Sequence, residues 1–146
     1  MKAPALAAYA LLGLPLAMAM LPIYVLVPNF YAADLGLGLT LTGTVLFLAR
    51  LLDTVQDPWL GRLIDRRSAR GWNLLLASSA VLLSAAMAAL LIPPDSLGRF
   101  ALAGWLGALL ALTYTLHSLI NITYLAWGAR LSDQPEIRTR VAAWRE

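Results

Sequence analysis

No Asp, Glu, Lys or Arg lies between Lys2 and Asp34, between Arg70 and Asp95, or between Arg99 and Arg130. Each gap exceeds the roughly 20 apolar residues that cross a bilayer core. With 13% charged residues the chain carries about half the charge of an ordinary soluble domain, and 60% of it is hydrophobic. A further span is needed between Asp34 and Arg62. The expected fold class is therefore all-α, a polytopic membrane protein with four transmembrane helices at about 6–31, 39–61, 73–93 and 100–128, and a cytoplasmic segment over 129–146.

Lys2 precedes the first apolar run, as it would in a signal peptide. The run is too long for a signal core, and Tyr9, Tyr24 and Tyr31 with Pro15, Pro22 and Pro28 suit a kinked spanning helix. Cysteine is absent, which removes disulfides and thiolate metal sites. Placing the N-terminus in the cytoplasm puts Lys2, Arg62, Arg66, Arg67, Arg70, Arg130, Arg138, Arg140 and Arg145 inside and leaves only Arg99 outside. Trp59, Trp72 and Trp127 then fall near the inner interface and Trp105 near the outer one. The net charge of +3 follows from this topology: the basic rim meets an anionic lipid bilayer, and no nucleic-acid partner is implied.

"ADLGLGLT" and "PPDSLGR" read as external turns, and "DRRSARGWN" as a charged internal loop. In "LSDQPEIRTRVAAWRE", Asp133 can cap a helix whose third position is Glu136. The chain stops at Glu146, where a further span would begin, so it is expected to be a fragment.

The second span carries the charges that a membrane should exclude. Arg50, Asp53 and Asp57 are spaced by three and four residues, so they share one helical face. Arg50 and Asp53 fall near the bilayer midplane, with Asp57 about 6 Å further inward. Each charge there costs on the order of 3 kcal/mol, so the set should face protein or a water-filled cavity. Two carboxylates one turn apart offer hard oxygen ligands to a small cation, or hold a proton because like charges resist ionising together. Pro58 has no N–H for the carbonyl of Thr54, which is left to a ligand or water. An ion pair between Arg50 and Asp53 with a purely structural role is the alternative, and it leaves Asp57 surplus.

On the fourth span Tyr114, His117, Ser118, Asn121, Tyr124 and Gly128 form a polar stripe. Ser118 and Asn121 offer neutral oxygens to a cation held by Asp53 and Asp57, whereas Thr113, Thr115 and Thr123 read as hydrogen-bonding residues between helices. His117 is the only histidine, so paired histidine ligation of a haem within one chain is excluded, and it reads as a hydrogen-bonded interior residue. No nucleophile with a base, metal cluster or phosphate loop supports an enzyme.

Two blocks, "FYAADLGLGL" with "ARLLDTVQDPWLGRLIDR" and "NITYLAWGARLSDQPEIRTRVAAWR", resemble the glycoside-pentoside-hexuronide:cation symporters of the major facilitator superfamily. The family pattern R-x-x-D-x-x-x-D-P-x-x-G-x-x-x-D, on helix II and the loop after it, is matched by Arg50, Asp53, Asp57, Pro58, Gly61 and Asp65. The N/D-I-P-Y-like stretch of helix IV is matched by Asn121, Ile122 and Tyr124, with Thr123 in place of proline, and the following R-T by Arg138 and Thr139.

The resemblance implies four helices from the N-terminal half of a transporter of about twelve helices, whose second half is absent from this sequence. It implies cation-coupled symport of a sugar or related small solute by alternating access, with no cofactor, in the bacterial inner membrane. The coupling ion is Na+ or H+. Asp53 and Asp57 would bind it, joined by Asn121 and Ser118, and Na+ at Asp53 and Asp57 is the one metal ion to consider. Arg50, Tyr124 and Arg145 would serve the solute. Gly61, Asp65, Arg66 and Arg70, with Gly71, would form the cytoplasmic gate, whose usual basic end is replaced by Trp72 and Asn73. Asn121 stands where the family usually has a carboxylate, and Ala17 where an aspartate contacts sugar. A lipid or amphipathic-solute transporter of the same fold, and a four-helix scaffold, are the alternative readings.

Overall fold

The computed structural model describes residue 11, residues 13–65 and residues 69–130, leaving the side chains of 69, 70 and 128–130 undescribed. Its elements are α1 (Gly13–Asn29), a π-helical turn (Phe30–Asp34), α2 (Leu39–Asp65), α3 (Ala69–Leu91) and α4 (Arg99–Arg130). The all-α expectation is met, with no strand among the described residues. Three segments, Gly13–Asp34, Gly71–Leu91 and Arg99–Trp127, are long and apolar enough to cross a membrane. At 27 residues α2 is also long enough, but Arg50, Asp53 and Asp57 make it the most polar of the four. One correction concerns its end: α2, expected to stop at about residue 61, absorbs Pro58 and continues to Asp65, which was expected in the following loop.

α4 packs along both α2 and α3. A Cβ built on Gly107 would lie 3.4 Å from Val45, so the missing side chain lets α4 approach α2. One apolar cluster gathers Ile23, Val27, Tyr31, Leu90, Leu106 and Leu110, and a smaller one joins Ile64, Trp72 and Leu119. Large apolar side chains such as Phe47, Val55, Trp59, Leu74 and Phe100 cover the outside, as lipid or neighbouring helices require.

The helix ends around Tyr31, Leu90 and Trp105 are tied by side chains where proline has removed the backbone donor. In a continued helix the carbonyls of Ala89 and Leu90 would accept from residues 93 and 94, both prolines. Trp105 Nε1 donates to Ala89 at 3.2 Å instead, and the Tyr31 hydroxyl donates to Leu90 at 2.8 Å. The π-helical turn is closed by the Leu35 N–H donating to the Phe30 carbonyl at 2.9 Å, and it carries Tyr31, which is fully buried. Gly38, at φ +88°, lets the chain turn into α2, and Arg99 donates to the adjacent Leu37 carbonyl at 3.2 Å. At the other end Trp72 Nε1 donates to the Ile64 carbonyl, in the last turn of α2, at 3.1 Å.

Candidate functional site

Midway along α2, Asp53 turns inward against α4 and is only 6% exposed. A carboxylate in that position needs donors, and three reach it. Arg50 Nη1 lies 2.9 Å from Oδ2. Ser118 donates to Oδ1 at 3.0 Å from α4, and Gln56 Nε2 to the same oxygen at 3.4 Å. The Gln56 carboxamide oxygen in turn accepts from Thr115 at 2.9 Å, extending the network across the helix pair.

Arg50 is held differently. Its side chain is 56% exposed, and its guanidinium carbon lies 6.0 Å from the ring centre of Tyr24 on α1 and 5.7 Å from that of Tyr114 on α4. Both are at the reach of a cation–π contact. One arginine therefore links α1, α2 and α4.

Asp57 lies one turn beyond Asp53 and is half-buried. Its Oδ1 is fully buried and has no hydrogen-bond partner among the described residues. A buried acceptor without a donor is costly, more so when it carries charge. Cβ atoms four residues apart on a helix are about 5–6 Å from each other, so a small cation can reach both carboxylates. The oxygens nearby are the hard ligands such an ion takes: the aspartate oxygens, the Ser118 hydroxyl and the Gln56 carbonyl. No group of three or more acidic or histidine side chains able to hold a metal ion occurs among the described residues.

The sequence-predicted set divides in two. Ser118 stays with Asp53. Asn121 and Tyr124 instead line a cavity of about 310 Å³ between α1 and α4, together with Gly13, Leu16, Ala17, Met20 and His117. His117 Nε2 lies 3.3 Å from the Leu16 carbonyl, which requires its proton on that nitrogen. The cavity wall holds an imidazole, a carboxamide and a phenol but no carboxylate. Tyr124 also borders an apolar groove of about 340 Å³ that includes Leu76, Leu83, Met87 and Trp127.

Of the gate residues, Gly61 and Asp65 close α2, with Asp65 exposed at its end. Arg70 is placed only by its backbone in α3, and Arg66, Arg145 and residues 131–146 lie outside the described residues. Gln56, Tyr24 and the role of Thr115 toward the site were missed in the sequence. A glutamine three residues after Asp53 in an apolar span was the available signal.

The chain is 31% identical over 122 residues to the inner membrane symporter YicJ of Escherichia coli K12, covering 80% of this chain and 25% of YicJ. It is 29% identical over 124 residues to YagG of the same organism, whose name carries glycoside/cation symporter, covering 82% of this chain and 26% of YagG. A glucuronide carrier protein homolog of that organism is 28% identical over 123 residues, covering 80% and 26%. The chain thus spans about a quarter of the length of these curated relatives. No solved structure matches it significantly. Residues 6–146 match the family described as MFS/sugar transport protein. With the arginine–aspartate pattern of α2 in place and symporters among its relatives, the chain belongs to the MFS/sugar transport protein family, as the glycoside-pentoside-hexuronide:cation symporters do.

Proposed function

We propose that this chain supplies the cation-binding wall and part of the solute site of a sugar:cation symporter in the bacterial inner membrane, with its N-terminus in the cytoplasm. The carrying observation is the buried, unpartnered Oδ1 of Asp57 one turn from the fully hydrogen-bonded Asp53. The cation, Na+ or H+, is a transported substrate, and binding it between the two carboxylates relieves their repulsion. Ser118 and Gln56 complete its surroundings. The solute occupies the cavity at Ala17, His117, Asn121 and Tyr124, with Arg145 as a further contact. Cation and solute together favour the exchange of inward and outward openings, in which Asp65 at the end of α2 pairs with Arg66 and Arg70. The remaining helices that alternating access needs, about eight, are the rest of the N-terminal half and the missing C-terminal half of the transporter. The chemistry is movement of a solute, with no bond made or broken.

The test is uptake of a radiolabelled glycoside by cells expressing the coding sequence in its genomic context, under imposed Na+ and proton gradients in turn. One gradient should drive accumulation, and Asp53→Asn and Asp57→Asn should each abolish that drive. Gradient-driven uptake that survives Asp57→Asn would sink the assignment.

A further inference from the structure

Asp53 is already neutralised by a cation belonging to the chain. Arg50 Nη1 sits 2.9 Å from Oδ2, and Ser118 and Gln56 occupy Oδ1. An incoming ion that uses Asp53 must share that carboxylate with a guanidinium, and two positive charges on one buried carboxylate repel strongly where water is scarce. Arg50 has somewhere to go. Its side chain is more than half exposed, and the rings of Tyr24 and Tyr114 flank the guanidinium at 6.0 and 5.7 Å. Ring faces hold a cation without needing the carboxylate.

The rings also set its destination. Met20 precedes Tyr24 by about one turn of α1, and His117 follows Tyr114 by about one turn of α4, and both line the cavity of about 310 Å³. The rings that flank the guanidinium thus stand on the same faces of α1 and α4 as the cavity lining, about one turn away along each helix.

We propose that Arg50 is a tethered stand-in for the transported cation: it occupies Asp53 while the site is empty, is displaced when the ion binds, and then presents its planar donor fork to a solute oxygen in the cavity. This rests on Asp53 and Asp57 being the cation carboxylates. Cation binding then strengthens solute binding because it releases the arginine, and linkage makes the effect reciprocal. The two substrates need not touch each other.

The test uses the transporter expressed from the coding sequence in its genomic context and purified into lipid nanodiscs, with Na+ alone as probe and choline as the ionic-strength control. Phenylglyoxal modifies accessible arginines, and peptide mass spectrometry reads the rate at Arg50. Sodium should raise that rate several-fold, and Asp53→Asn should leave Arg50 fast with or without sodium. In calorimetry Arg50→Gln should bind Na+ about tenfold or more tightly than wild type, whereas Arg50→Lys, which keeps a competing charge, should stay near wild type. Sodium heat that disappears in Asp57→Asn while the Arg50 rate is unmoved or falls would overturn the displacement and leave the cation site standing. Sodium heat absent from wild type and Arg50→Gln alike would overturn the displacement by sodium, and uptake that no longer responds to a proton gradient in Asp57→Asn would then keep the carboxylates as a proton site. Heat from Arg50→Gln alone supports the proposal, and a misfolded Arg50→Gln leaves the wild-type modification rate to decide.

Discussion

The hydroxyl of Tyr31 donates to the carbonyl of Leu90 at 2.8 Å, across 59 positions of sequence, and Pro94 is the reason that carbonyl is free. Trp105 does the same for Ala89 opposite Pro93. The C-terminal end of α3 is therefore capped at Ala89 and Leu90 by α4 and by the turn after α1, because Pro93 and Pro94 offer no backbone donor. Tyr31→Phe keeps the ring but leaves the carbonyl unpaired away from water, at a cost of about 1–3 kcal/mol. Thermal unfolding in detergent should show that loss, and Trp105→Phe should add to it. An unchanged midpoint in Tyr31→Phe would mean that water already serves Leu90.

Stability and cation binding should part company at the two aspartates. Asp57→Asn removes a charge from a buried oxygen that no described donor reaches, so its melting temperature should hold or rise while Na+ binding is lost. Asp53→Asn strips Arg50 of its carboxylate and should lower stability, by about 1 kcal/mol once solvent screening of the half-exposed arginine is allowed for. Calorimetry and melting of the same two samples give the comparison, and equal melting shifts would contradict it.

Two glycines should respond with opposite sign. Gly38 sits at φ +88°, and a Cβ there would lie 3.5 Å from the Arg99 guanidinium, so Gly38→Ala should cost about 1–2 kcal/mol. Gly43 lies within α2 with nothing within 4 Å of a built Cβ. Gly43→Ala should therefore be neutral or stabilise by up to about 1 kcal/mol. Unfolding midpoints of the pair decide it.

Asn121→Leu should raise the half-saturating solute concentration about tenfold, a loss of about 1.4 kcal/mol, and leave the cation requirement unchanged. The basis is its place in the His117 and Tyr124 cavity, while Ser118 serves Asp53. Uptake kinetics at fixed and varied cation concentration separate the two. A shift in the cation requirement alone would return Asn121 to the cation site.

The charge-free runs marked the apolar spans because lipid penalises charge wherever it lies along a helix, and the three-and-four spacing put Arg50, Asp53 and Asp57 on one face. Spacing on one helix also found Ser118. It could not separate Ser118 from Asn121, because residues three apart on α4 share a stripe yet face different neighbours, Asp53 in one case and the cavity beside α1 in the other. Gln56 was overlooked because an uncharged amide reads as filler until a partner such as Thr115 is seen opposite it. The end of α2 was also hidden: Pro58 forfeits one donor, and the turns beyond it carry the helix on to Asp65. Nothing local in the sequence announces that Pro93 and Pro94 are answered by Trp105 and Tyr31, since those bonds depend on how helices far apart in sequence meet.

The layer of Asp53, Gln56, Thr115 and Ser118 lies between apolar packing on both sides, with Ala49 and Tyr114 in one cluster and Leu60 and Leu119 in the other. The open side of this layer is the α2 flank at Arg50, so on the proposed reading an ion bound for Asp57 would come in over that flank, with the bundle as one bank of the passage.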